Sequence, residues 1–236
     1  MNPLELIAEA RTADGTDFKL VRRGNEYIIL ADGKSLMSNR MHGSEEALAM
    51  FGLRQARTLK HPRVLIGGLG MGYTLRAALD LLGKDAGVLV AELVGEVVEW
   101  NQGVLGPLAG YPLKDRRVRV DVKDVAITLR SARAQFDAVL LDVDNGPSAF
   151  SSSANAGVYD DWGLAAANES LRPGGILAVW SAREDRRFEQ RMRYAGFRVE
   201  VEHVRARLKK GGPHHVIFLG HKTEDEGSGA RGRRRF

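Results

Sequence analysis

Gly67, Gly68, Gly70 and Gly72 follow the apolar run Val64-Leu65-Ile66 and precede Thr74-Leu75-Arg76-Ala77-Ala78-Leu79. Strand, glycine turn and helix in that order let a backbone approach a nucleotide-like ligand closely, with helix N-terminal amides facing it. Gly68, Gly70 and Gly72 make G-x-G-x-G rather than the stricter dinucleotide spacing, and no Lys-Ser/Thr pair follows, so this is not a phosphate-cradling loop. A looser turn of this kind suits an S-adenosylmethionine-type nucleoside. A tight strand-to-helix turn without a ligand is the alternative.

Acids at the ends of the following strands extend the set. VLVAEL ends with Glu92, placed where a carboxylate accepts hydrogen bonds from both ribose hydroxyls; capping a helix is its plainer role. RVRVDV leads into Lys123-Asp124, and Asp124 either accepts from an adenine amine or caps the next helix. In FDAVLLDVDNGP, Asp142 follows a run of core residues and Asp144 comes two residues later. Two carboxylates there are costly to bury unless they meet a cation or a donated proton, as when an amine attacks a sulfonium carbon. Asp144-Asn145-Gly146-Pro147 is also ordinary turn chemistry, so Asp144 is the more easily explained as structure.

In an open α/β sheet, ligands sit beyond the carboxyl ends of the strands, so the elements must bring these residues together. From Arg63 onward strands alternate with helices expected at 73–83, 94–104, 123–132, 159–171 and 184–195. FRVEVEHV and HHVIFLGH then follow without a helix between them, which predicts a doubly wound sheet ending in an antiparallel pair. Before this core, DFKLVRRG, EYIILADG and KSLMSN read as short strands joined by turns at Gly24-Asn25 and Asp32-Gly33. Ser44-Glu45-Glu46 opens a helix with Ala47, Leu48, Phe51 and Leu53 expected inside. The expected division is a β-strand subdomain at 1–42, a linking helix and Rossmann-like domain at 43–222, and a disordered basic tail at 223–236.

The net charge of +5 is concentrated in that tail: without Arg231, Arg233, Arg234 and Arg235 the body is nearly neutral. RNA contact therefore rests on the tail alone and is not the expected function. No apolar run is long enough to cross a bilayer, and the N-terminus lacks a signal-peptide pattern. The absence of cysteine excludes disulfides, thiolate metal sites and cysteine nucleophiles, and a cytoplasmic location is expected. No metal site is expected either: His214 and His215 are neighbours in a strand and point to opposite faces. His42, near the expected cleft, reads first as a loop residue, and Trp162 and Trp180 either pack in the core or lie over a substrate.

These residues resemble the spermidine synthase-like branch of the S-adenosylmethionine-dependent methyltransferase superfamily, over nearly the whole chain. The resemblance matches the glycine run, Glu92, Asp124 (with Lys123 in place of the usual glycine) and, as catalytic acid, Asp142. It implies a Rossmann-like S-adenosylmethionine-binding fold preceded by a β-hairpin subdomain. The departures fall on the acceptor side. Gly70 stands where aminopropyltransferases place an aspartate, Ala49-Met50 where they place Tyr-His, and Leu36 replaces a glutamine. Methyl transfer from S-adenosylmethionine to a small amine or hydroxyl is accordingly the first reading. Aminopropyl transfer from decarboxylated S-adenosylmethionine is the second, and a non-catalytic nucleoside-binding or RNA-interacting protein the third. A homodimer is left open.

Overall fold

The computed structural model describes residues 2–12, 15–143, 146–147, 156–207 and 212–223. Four antiparallel strands come first: β1 (Glu5–Arg11), β2 (Asp17–Arg23), β3 (Glu26–Ala31) and β4 (Lys34–Ser38), paired in that order. The β3–β4 turn has both Asp32 and Gly33 at positive φ, and the β2–β3 turn has Gly24 there; these are the primed turns whose twist suits a hairpin. Strand β1 is an element the sequence reading did not name. Its register on β2 shifts between Leu6 and Ala8, which breaks the period of two, and its Glu- and Ala-rich composition is a weak strand signal.

Helix α1 (Gly43–Gly52) leads to the main sheet of β5 (Arg63–Gly67), β6 (Gly87–Glu92), β7 (Val118–Val122), β8 (Phe136–Leu141), β9 (Leu171–Ser181), β10 (Phe197–Arg205) and β11 (His214–Lys222). Its order is β10-β11-β9-β8-β5-β6-β7, with β5, β6, β7, β8 and β9 parallel and β11 antiparallel to both neighbours. The chain runs outward from β5 through β6 to β7 and then restarts on the other side at β8. That reversal opens a crevice at the carboxyl ends of β5 and β8.

Every residue of β8 is buried; its run Ala138-Val139-Leu140-Leu141 is apolar without alternation, as a strand covered on both faces must be, and Asp137 is paired with Arg172. Val64, Ile66 and Leu140 face α1, α2 (Tyr73–Leu81) and α3 (Gly95–Gln102). Leu65, Val139 and Leu141 face α4 (Val125–Ser131), α6 (Asp161–Ser170) and α7 (Arg186–Tyr194). Each such Val, Leu or Ile contributes about 1.5–3 kcal/mol of burial, which makes the centre of the sheet a rigid platform. The helix expected at 159–171 is divided, with α5 (Ala156–Tyr159) ahead of α6 and Asp160 between them capping Gly163 N.

Helix α1 is held at both ends. Gly43 N donates to Ala206 O (2.9 Å), and past its far end Arg54 pairs with Glu200 and Glu202 of β10. It lies so close to the sheet that a Cβ on Gly52 would stand 2.2 Å from Leu140 Cδ2 and 2.8 Å from Ala178 Cβ. Ala47, Leu48 and Leu53 are buried as expected, whereas Phe51 is half-buried beneath the Arg54 guanidinium.

Candidate active site

A cavity of about 450 Å³ lies over the carboxyl ends of β5, β6 and β8, roofed by the four-stranded sheet. Gly68, Gly70, Glu92, Asp124 and Asp142 all line it. Gly67 and Gly72 do not. A Cβ on Gly67 would fall 2.8 Å from Val125 Cγ2, while Gly72 precedes α2 with φ +81°, and a Cβ there would stand 3.1 Å from Asn101 Oδ1. Both shape the turn from behind. Asp144 lies outside the described residues.

The turn is locked between its neighbours. Gly68 N donates to Ala91 O and Asp142 N donates to Gly67 O, each at 2.9 Å. Gly68 has φ +87°, and a Cβ there would meet Asp142 O at 2.3 Å, so only glycine lets β5 and β8 close to this distance. Glu92 is buried rather than an exposed helix cap. Its Oε2 accepts from Leu69 N (2.7 Å) and its Oε1 from Val94 N (2.9 Å). Burial pushes its carboxyl above the usual range, and the backbone donors oppose that shift. The Leu93 and Gly70 amides also act on it, so the turn orients this carboxylate while the residue lines the cavity. Asp124 takes the capping role, its Oδ1 accepting from Ala126 N (2.8 Å) at the start of α4, and it also lines the cavity.

Asp142 Oδ2 accepts from Thr74 Oγ1 at 2.6 Å, in the first turn of α2. Burial pushes Asp142 up to about 6. A second acid, Glu45 of α1, lines the same cavity, and burial first, then the charge of Asp142, pushes it up to about 7. Ser44 Oγ donates to Glu45 Oε2 (2.6 Å), and His215 Nδ1 lies 2.9 Å from Ser44 Oγ. Trp180 joins the wall here, edge-on to His215, and its indole N–H has no partner among the described residues. Sequence reading missed Glu45, Ser44, Thr74 and the site role of His215. One signal was available: Glu45 shares the buried stripe of α1 with Leu48, Ala49 and Gly52, whereas Glu46 does not.

The other flagged residues fall elsewhere. His42 stacks on Tyr73 at 4.1 Å and bonds Glu46, off the cavity wall. Trp162 is 81% exposed on α6, neither core nor cavity. His214 and His215 face opposite sides, and among the described residues no three metal-ligating side chains converge. No helix of the described residues is long and apolar enough to cross a membrane.

The architecture has counterparts among solved structures. Spermidine synthase from Thermotoga maritima superposes with a TM-score of 0.73 at 18% identity, over 94% of this chain and 74% of that one. The fold is spermidine synthase-like. A spermidine synthase in complex with the transition-state analogue AdoDATO gives 0.72 at 16% identity, over 94% and 73%. A probable spermidine synthase from Corynebacterium glutamicum ATCC 13032 gives 0.61 at 16%, over 98% and 84%. No protein-family model and no curated protein matches the chain. The spermidine synthase-like fold includes the Rossmann-like methyltransferase core and the antiparallel sheet ahead of it.

Proposed function

We propose that the chain is a transferase that moves an alkyl group from an S-adenosylmethionine-type sulfonium to a small amine, and that the group is aminopropyl. The observation that carries the choice is the charge of the cavity wall. Among the described lining residues Asp32, Glu45, Glu92, Asp124 and Asp142 face a single lysine, Lys34, and no arginine. A donor that keeps its methionine carboxylate needs cations or free amides at that end, and a decarboxylated donor with an ammonium group does not. The likeness to spermidine synthases, one of them bound to a transition-state analogue, supports the same order. Methyl transfer from S-adenosylmethionine, the first reading of the sequence, therefore moves to second place.

The geometry supports the following roles. Gly68 and Gly70 admit the nucleoside close to the backbone, Glu92 holds the ribose and Asp124 faces the base. Asp142, fixed by Thr74, orients the attacking amine and takes its proton; Asp144 is proposed beside it from sequence alone. Displacement at a sulfonium needs alignment, exclusion of water and a place for the proton, and a roofed cavity with a fixed carboxylate offers all three. The acceptor end is narrowed by Met37 of β4, whose Sδ lies 2.8 Å from where a Gly70 Cβ would sit. A thioether in that place favours a small or singly charged amine over a long dication.

Calorimetry with decarboxylated S-adenosylmethionine and with S-adenosylmethionine, followed by mass spectrometry of each donor with a set of amines, tests the reading. Tighter binding and turnover with the decarboxylated donor are expected. Asp142→Asn should keep donor affinity and lose about 10²–10⁴-fold in turnover. Turnover with S-adenosylmethionine alone would restore methyl transfer, and nucleoside binding without turnover would favour the non-catalytic reading.

A further inference from the structure

We propose that Glu45, Ser44 and His215 form a proton relay beside Asp142, in which Glu45 faces the acceptor amine and Ser44 passes its proton to His215. The relay rests on the transferase reading above. It is carried by three side chains from two distant parts of the chain: Glu45 and His215 line the cavity, and Ser44 joins them from behind its wall. Glu45 and Ser44 come from the first turn of α1, and His215 from the start of β11. Ser44 is fully buried and Glu45 nearly so, and His215 is half-buried next to the exposed His214.

The hydrogen-bond inventory fixes the direction of the chain. A serine hydroxyl has one proton. When Ser44 donates it to Glu45 Oε2, as the 2.6 Å contact places it, the 2.9 Å contact requires His215 Nδ1–H to donate to Ser44 Oγ. When Glu45 is protonated the chain reverses: Glu45 donates to Ser44, and Ser44 donates to a bare Nδ1 on a ring protonated at Nε2. With the ring neutral in both, the second state holds one more proton, on Glu45, and its imidazole is the Nε2–H tautomer in place of the Nδ1–H one.

In the transfer step the acceptor nitrogen uses its lone pair to form the new C–N bond. The C–S bond breaks, and its electron pair stays on sulfur as a neutral thioether. The nitrogen, now cationic, releases a proton to Asp142, and Glu45, which feels the Asp142 charge across the same cavity, takes it on. Neutral His215 trades its Nδ1 proton for one at Nε2 through water, which leaves Nδ1 bare; each proton then advances one bond, from Glu45 to Ser44 and from Ser44 to Nδ1, and the imidazolium releases its Nε2 proton to water. Two acids over one amine also explain why neither alone carries the charge: close carboxylates disfavour ionising together. The charged and titratable groups around Glu45 are Glu46 and His42 on α1, Tyr73 on α2, Asp142 beyond β8, and His214 and His215 on β11. Of these, Ser44 connects Glu45 only to His215. Burial and the neighbouring His214 hold His215 below its ordinary value, so at neutral pH it rests neutral and carries the proton only in passage to water.

The test uses the full chain with labelled histidine. The ionisation of His215 is followed by NMR in the native protein, Glu45→Gln and Ser44→Ala, and kcat is measured against pH with the decarboxylated donor and an accepted amine. Glu45→Gln is expected to move the His215 titration by about half a pH unit or more. Ser44→Ala should make it insensitive to a second change at Glu45. Glu45→Gln should lower kcat by about 10²-fold with donor Kd unchanged. The double variant Ser44→Ala/His215→Asn should be no slower than Ser44→Ala, since two links of one relay are not additive. A His215 titration unmoved by either change, or kcat within about twofold of native in both variants, overturns the relay. If Glu45→Gln fails to fold, Ser44→Ala carries both measurements. A native protein with no turnover on any amine defeats the transferase reading, and the NMR comparison then still decides whether the three groups share a proton.

Discussion

Glu92 gives one oxygen to Leu69 N and the other to Val94 N, so its removal has two effects that one measurement would merge. Glu92→Ala leaves two backbone donors without partners, expected to lower stability by about 1–3 kcal/mol. It also removes the proposed ribose acceptor, expected to weaken donor affinity about tenfold or more. Thermal unfolding and calorimetry on the same variant check both; a lower Tm with unchanged affinity would assign Glu92 to holding the glycine turn alone. Glu45 allows a prediction from pH. Its folded value, and that of Asp142, lie above those of the unfolded chain, so their contribution to stability is full below about pH 4 and is lost as pH rises through about 6 to 7. Glu45→Gln carries no charge at any pH. It should therefore have a higher Tm than the native protein at pH 8, an advantage that shrinks toward pH 4. A Tm difference constant across that range would show that Glu45 is not the group that burial penalises. Gly68, Glu92 and Asp142 were legible as site residues because each ends a strand, and the ends of adjacent parallel strands must meet. Ser44 and His215 were not, since they lie 171 residues apart and only the docking of α1 on the β10–β11 pair brings them together.

At the scale of elements, α1 decides whether the cavity has its second acid. Its distance from the sheet is set by Gly52, which fits against Leu140 and Ala178 with no room for a methyl group. Leu140 Cδ2 can rotate aside, but Ala178 Cβ is fixed to a central strand. Gly52→Ala should therefore lift the helix and cost about 1–3 kcal/mol, the usual range for overpacking. The glycine turn, Glu92 and Asp124 belong to other elements, so donor affinity should stay near native while turnover falls. Equal losses in donor affinity and turnover would show that α1 supports the whole cavity rather than its acceptor end. The helices and strands of the main sheet were readable from periodicity, because each carries an apolar stripe or run of its own. Strand β1 escaped notice: its register shift puts Leu6 out of phase with Ala8 and Ala10, and Leu6 remains exposed. The division of α5 from α6 escaped too, since Asp160 reads equally well as a helical residue and as the cap it is.

For the molecule as a whole, the question is whether the antiparallel sheet is a separate domain, as its composition and hairpin turns suggest. Its buried residues argue otherwise. Leu20 and Ile29 from the small sheet belong to one continuous core with Leu69 and Met71 of the glycine turn and Val94 and Val97 beside α3. Three of those elements also form the cavity, so the roof cannot detach without exposing apolar surface on both sides. A four-stranded sheet with few fully buried side chains has little stability to call on by itself. The prediction is a single cooperative thermal transition, with the calorimetric enthalpy equal to the van't Hoff enthalpy. A donor-site ligand should raise its Tm without splitting it, because the ligand would bind surfaces from both sheets and stabilise only the state in which they are joined. Two resolved transitions, with the ligand shifting only the second, would show that the small sheet melts away while the Rossmann-like core keeps its nucleoside site. The cavity roof would then be an independent lid rather than part of the core.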